Sequence, residues 1–308
     1  MPVTLRAKYI GSLAAEALTT GGNSGIIGQV MSTFPNSFYV KALNGELLFV
    51  TNRSLRSPIT LNFDSTLRLD QAVKPLDPVY SHGKEIQVAE ISIDLRNVPS
   101  FRSKSSVTSQ LSPDFTEIGK ALRVICFLLN IIDTRQSVLD PRGLAHDGVA
   151  HFLEDGVFPL RLSSMEARFR DAALRIVGLG SGFTPSGDDT LGGFLATYNS
   201  LAQAVGRSPI FLEFPTLQEK TSWISAKLVD YMQRLILDEQ MRSVIELAAE
   251  GDGDAMVLAL ETLFARGDTS GIDISVGTIV ALSLVRDIAF DEEGTQIITS
   301  ALGLSQDL

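Results

Sequence analysis

The chain has 308 residues, 44% of them hydrophobic and 20% charged, with a formal net charge of −10. That length can bury a large core and fits two domains better than one or three, and the composition is that of a folded chain. The acidic balance, without any basic stripe, argues against nucleic-acid binding and against docking on an anionic membrane. The single cysteine, Cys126 in the apolar run ALRVICFLLNII, excludes an internal disulfide; it reads as a buried structural thiol in a reducing, cytoplasmic protein. Arg6 and Lys8 lead into the amphipathic YIGSLAAEAL, which is no convincing signal peptide, and the apolar runs at 124–132 and 274–285 are too short to span a bilayer.

In chain order, residues 5–18 carry apolar positions near helical spacing and end at Thr19, Thr20, Gly21 and Gly22, which predicts an opening helix. The texture then changes. IIGQVMSTF, SFYVKAL, GELLFVTN, SPITLNFD and EIQVAEISIDL are short β-branched or aromatic runs separated by Pro, Asn and Gly, with a turn at Leu43, Asn44, Gly45 and Glu46. They predict a small antiparallel barrel or sandwich, and without alternating helices a nucleotide-binding parallel sheet is not expected there. Residues 99–113 are rich in Ser, Lys and Arg, including Arg102, Lys104, Ser105 and Ser106, and read as a linker or, alternatively, as a basic lid over an anion site.

Beyond that boundary nearly every segment has three-and-four spacing: 115–132, 165–177, 189–204, 217–236, 241–250, 255–265 and 272–290. The expected fold is α+β, a β-rich domain over 1–110 with its opening helix, followed by an all-helical domain over 111–308. Small residues such as Gly192, Gly193, Ala196 and Gly277 would let its helices approach closely.

The chemistry is concentrated at GLGSGFTPSGDDTLGGFLA, residues 178–196. Dense glycine brings backbone amides close to a partner, and a helix starting immediately after turns its unpaired N–H groups the same way, which is the geometry of an anion site. An echo follows. Ser186-Gly187-Asp188-Asp189 with Gly193 and Ser270-Gly271-Ile272-Asp273 with Gly277 are both S-G-x-D-x-x-x-G, with the two aspartates 84 positions apart. This suggests a duplicated half-domain whose helix starts face one another across a pseudo-twofold axis. The alternative is structural, because S-x-x-D is also a capping-box variant. Capping alone does not require Gly178, Gly180 and Gly182.

As ligand, a phosphate or carboxylate suits the amides of Gly180, Gly182, Gly187 and Gly271 and the hydroxyls of Ser181, Thr184, Ser186 and Ser270. No Gly-Lys-Ser/Thr ending is present, so a Walker-type nucleotide loop is not expected. Asp188 and Asp189 would repel an anion unless a cation intervenes; a magnesium ion held by both resolves the conflict, and so does turning them away as caps. Thr221 and Ser225 stand four apart, where both hydroxyls could line a pocket or bond back to their own helix. Three histidines and one cysteine give a zinc site little support, and no G-x-S-x-G elbow occurs.

GLGSGFTPSGDDTLGGFLA resembles the GLGxGxTPSGDDxLxG signature of the family designated DUF2877, whose members include the third subunit of bacterial oxamate carbamoyltransferase, an enzyme of allantoin degradation and so of purine catabolism. The likeness extends to the later junction, where the family shows GHxSGxD and this chain has Asp268 in place of the His, and to the T-x-x-x-S pair Thr221 and Ser225. The β-rich PNSFYVKALNGELLFV texture fits as well. The resemblance implies membership of a multi-subunit enzyme that phosphorolyses oxalurate to oxamate and carbamoyl phosphate. The small anionic substrate would sit at the glycine-rich helix start, with Asp188, Asp189 and Asp273 as catalytic candidates. The alternatives are a non-catalytic scaffold subunit and a stand-alone enzyme acting on another small carboxylate.

Overall fold

A computed structural model of the protein describes residues 3–19, 25–102, 113–162 and 165–304. Most of the expected linker, Lys104, Ser105 and Ser106 included, lies outside the described residues, as do Thr20, Gly21 and Gly22. Contacts divide the chain into two units, 1–104 with 237–239 and 105–236 with 240–308. The fold is α+β, a β-barrel followed by a helical region, as its residue patterns predict.

Among the described residues the first unit holds nine strands: β1 (Val3–Gly11), β2 (Gly25–Phe34), β3 (Ser37–Ala42), β4 (Leu47–Thr51), β5 (Thr60–Phe63), β6 (Pro78–Ser81), β7 (Glu85–Val88), β8 (Ile91–Asp94) and β9 (Ser100–Phe101). Their order is β5-β4-β3-β2-β6-β7-β8-β1-β9, and an added β1–β5 pairing closes the first eight into a barrel, which decides between barrel and sandwich. The pairings are mainly antiparallel; β1 runs parallel to β8 and β9, and β4 parallel to β5. Bulges at Ala7/Tyr9, Ile26/Gly28 and Val30/Ser32 supply the bends that closure needs.

The expected opening helix is corrected by the structure: only α1 (Ser12–Thr19) is helical, and Val3–Gly11 is a strand. Leu5 and Ala7 belong to the barrel core while Thr4, Arg6 and Lys8 are exposed, a period of two that the bulge at Ala7/Tyr9 interrupts before Ile10 rejoins the core. Ala14, Ala17 and Leu18 of α1 join the same core as Ile27, Val30, Phe38 and Leu61. The expected turn forms, with Gly45 at φ +80° donating its N–H to Ala42 O at 3.0 Å.

In the second unit the helices are α3 (Phe115–Ile131), α4 (His146–Phe152), α5 (Phe158–Leu160), α6 (Glu166–Ile176), α7 (Ser186–Leu201), α8 (Phe214–Lys220), α9 (Trp223–Gln233), α10 (Glu239–Glu250), α11 (Gly253–Phe264), α12 (Ser270–Phe290) and α13 (Gly294–Ala301). A short α2 (Leu69–Ala72) belongs to the barrel unit. A π-helical turn, Leu153–Val157, joins α4 to α5. The single helix expected over 217–236 is two, broken at Thr221 and Ser222, where the Ser222 hydroxyl accepts from Ser225 N–H and starts a new helix. All sixteen residues of α7 are buried, and so are sixteen of the 21 in α12, which places this pair at the centre of the unit. Among the described residues no helix is long and apolar enough to cross a membrane.

Candidate functional site

The crossing of α7 and α12 is built from glycine. A Cβ on Gly193 would meet Ile274 O at 2.2 Å, and one on Gly277 would meet Thr190 O at 1.9 Å. The two contacts are reciprocal: Gly277 and Ile274 stand at the same 84-residue offset from Gly193 and Thr190 as Asp273 does from Asp189. Backbones this close leave no room for a side chain, so the last glycine of each S-G-x-D-x-x-x-G octad is fixed by the partner helix. The first glycine of each octad is fixed by its own preceding helix, with Gly187 against Ile176 O at 2.1 Å and Gly271 against Leu263 O at 1.8 Å.

The polar residues cross over in the same reciprocal way. Neither Ser186 nor Ser270 caps its own helix, so the capping-box alternative does not describe this molecule. Ser270 Oγ lies 2.9 Å from Thr184 Oγ1, whose hydroxyl donates to Asp189 Oδ2 at 2.8 Å, and Ser270 itself hydrogen-bonds the Asp189 carboxylate. Ser186 belongs correspondingly to Asp273, and its hydroxyl also reaches Gln136 O at 3.4 Å. Asp273 Oδ1 accepts from Val138 N–H at 2.9 Å. The hydroxyls of Ser186 and Thr269 stand close enough to favour the ionised form, but neither makes a well-aligned hydrogen bond to Oδ2, which is buried without a partner.

Asp189 is 4% exposed and Asp273 0%. Burial pushes Asp189 up to about 7 against the pull of Ser270 and Thr184, with the charge of Asp273 adding to the rise and Arg266 opposing it. Asp273 rises to about 6, again through burial first, opposed by Val138 N–H, Ser186 and Thr269. Two carboxyls that sense one another in a dry site do not both ionise readily near neutrality.

Asp188 faces elsewhere. It accepts from Gly178 N–H at 2.7 Å, Thr221 Oγ1 at 2.6 Å and Ser225 Oγ at 2.6 Å, and is 1% exposed. Burial raises its pKa and these three donors pull it back. Thr221 and Ser225 therefore do converge on one group, but that group is a carboxylate of the chain itself. Their hydroxyls are not turned to their own helix backbone. The adjacent Asp188 and Asp189 thus serve two separate clusters and share no donor among these bonds.

The glycine-rich loop divides the same way. Gly178 and Gly180 have φ +82° and +109°, and a Cβ would meet Lys220 O at 2.4 Å and Ser186 N at 2.8 Å; packing accounts for both. Gly182 has φ +106° but ordinary space around it, and Ser181, Gly182 and Phe183 are exposed. Gly187 N–H donates to Leu179 O, and Asp188 and Asp189 N–H both donate to Pro185 O, so these amides of the helix start are already paired. Gly271 N–H likewise donates to Arg266 O.

Residues 136–138 and His146 were not singled out as site residues by sequence pattern, yet this loop lies over both helix starts. Gln136 has φ +68°, Ser137 and Val138 are fully buried, and His146 Nδ1 lies 2.9 Å from Val138 O, so that nitrogen carries the hydrogen. No spacing joins them to Asp273 more than 120 positions on, as only the fold does. Cys126 is half-buried instead of fully buried, and burial pushes its thiol up to about 11. Among the described residues no group of three or more His, Cys, Asp or Glu converges to hold a metal ion.

These features define an α+β protein whose helical unit is centred on two reciprocally crossed helix starts, each carrying a buried carboxyl. Residues 176–282 match the family model described as oxamate carbamoyltransferase subunit AllH, so the resemblance carried by the sequence motifs is borne out over the stretch that contains both junctions. The chain matches no curated protein and no solved structure.

Proposed function

We propose that this chain is a subunit of a carbamoyltransferase of the oxamate type, and that the exposed Ser181-Gly182-Phe183 tip, mounted on the crossing, contacts the small anionic substrate. In the reaction a phosphate oxygen attacks the carbamoyl carbon of oxalurate, the bond from that carbon to the oxamate nitrogen breaks, and the nitrogen takes a proton. The observation that carries the reading is Gly182. Packing explains Gly178 and Gly180, whereas Gly182 adopts φ +106° at an exposed tip where no neighbour demands it. A left-handed glycine there points loop amides outward beside the Ser181 hydroxyl, a donor set suited to phosphate or carboxylate.

The test is calorimetric titration of the full chain, alone and assembled with its partner subunits, with phosphate, carbamoyl phosphate and oxamate. Ser181→Ala and Gly182→Ala should each weaken anion binding about tenfold while unfolding remains cooperative. Unchanged affinity in both variants, or no binding by chain or assembly, overturns the proposal. A scaffold role is the second reading, and the pairing of the Gly187, Asp188 and Asp189 amides within the chain favours it. On that reading the chain would restore activity to its partners while binding no anion.

A further inference from the structure

We propose that the crossing of α7 and α12 binds one hard divalent cation, magnesium or manganese, between Asp189 and Asp273, at a position distinct from Asp188. The inference stands on observations separate from the substrate reading above.

Asp273 is fully buried, and one of its oxygens is satisfied by Val138 N–H while Oδ2 has no partner. A buried carboxylate oxygen left unpaired is costly, and natural interiors satisfy such atoms with a donor, a proton or a metal. Near it stand the Ser186 and Thr269 hydroxyls and the Asp189 carboxylate, which senses the charge of Asp273, carries the Thr184 and Ser270 hydroxyls and also feels the charge of Arg266. His146 is turned to Val138 O. Two carboxylates with hydroxyls beside them suit magnesium, manganese or calcium better than zinc or copper. Asp188 has no part in it, because its carboxylate is already held by Gly178, Thr221 and Ser225. The reciprocal geometry gives the cation one carboxylate from each helix start, so that it would tie the two junctions together where their like charges otherwise repel.

The competing account is a single proton shared by the two carboxyls, which would satisfy Oδ2 without a metal. Titrating the metal-stripped full chain with manganese, followed by electron paramagnetic resonance and displaced with magnesium, separates the two. The expected result is a single bound manganese ion per chain, displaced by magnesium, and held about tenfold or more weakly in Asp273→Asn. Asp268→Asn, at an exposed acidic residue beside the second junction, should leave it unchanged. Asp273→Asn is nearly isosteric; should it fail to fold, Ser270→Ala, which keeps both carboxylates, should weaken manganese by a smaller factor. No uptake by the unaltered chain at millimolar manganese, or uptake indifferent to Asp273→Asn, overturns the proposal. Anion titrations run on the same metal-stripped protein keep the two proposals apart: manganese bound without any anion affinity sinks only the substrate reading, and the reverse sinks only this one.

Discussion

The two junctions share a core and differ in everything attached to it. Both place a glycine against a carbonyl of the other helix, and both set an aspartate against the serine that opens the other helix. The first is reached through a long loop with three left-handed glycines and an exposed tip; the second through a short turn with Gly267 at φ +65°. Asp188 in the first octad is matched by Ile272 in the second, and only Asp188 gathers Gly178, Thr221 and Ser225. The repeated glycines therefore account for architecture. What is specific to one junction, the GLGSGFTP loop above all, is where substrate chemistry is to be sought.

The largest expected effect comes from breaking the shared part. Gly277→Ala would place a methyl 1.9 Å from Thr190 O, backbone that has nowhere to move within a fully buried helix. It should destabilise the chain by about 3 kcal/mol or more, and Gly193→Ala similarly, as read by urea denaturation. If either variant stays within about 1 kcal/mol of the parent, the helices are not crossed as described. Next comes the part found at one junction only. Asp188→Ala strands an amide and two hydroxyls in a dry site, and should cost about 2 to 3 kcal/mol in the same assay.

The acidity of the shared pair gives the third prediction. A carboxyl whose folded pKa exceeds its unfolded value binds more protons in the native state between those values, so its contribution is fully present at low pH and lost as pH rises. For Asp189 the window runs from 3.8 to about 7, and for Asp273 from 3.8 to about 6. Asp189→Asn should therefore flatten the decline of the denaturation midpoint across this range and gain on the parent as pH increases. A difference between the two proteins that does not change with pH would mean that Asp189 has an ordinary acidity.

Much of this was legible in the residues, for identifiable reasons. Strands β2 to β5 announce themselves by β-branched runs between turn residues, whereas EIQVAEISIDL reads as one run and folds as the β7–β8 hairpin, and the octad repeat exposed the twin helix starts because both had to meet the same steric demand. The opening strand was misread because VTLRAKYI alternates in and out over a stretch whose apolar residues also fit helical spacing, and closure of the barrel decided between them. The direction of each aspartate was not legible. Asp188 and Asp189 are neighbours on a helix and so face about 100° apart, and what lies in each direction depends on Thr221, Ser225 and the loop at 136–138, brought in by tertiary folding.

The smallest effect should separate the two junctions most finely. Thr184 and Thr269 each put a hydroxyl near the aspartate of the helix they precede, but only Thr184 makes a hydrogen bond of good geometry, 2.8 Å to Asp189 Oδ2, while also lying 2.9 Å from Ser270 Oγ. Thr269 precedes α12 and makes no side-chain cap. Removing the hydroxyl while keeping the volume, as Thr184→Val, should cost about 1 kcal/mol, because Asp189 keeps Ser270 as its remaining donor. Thr269→Val should cost only a few tenths, since its hydroxyl leaves Asp273 Oδ2 unsatisfied in the native protein already. A double-mutant cycle of Thr184→Val with Ser270→Ala should show coupling of about 0.5 kcal/mol or more, because each hydroxyl orients the other against the same carboxylate. Equal costs for the two threonines would make the junctions alike in energy as well as in pattern, and would remove the reason for assigning them different work.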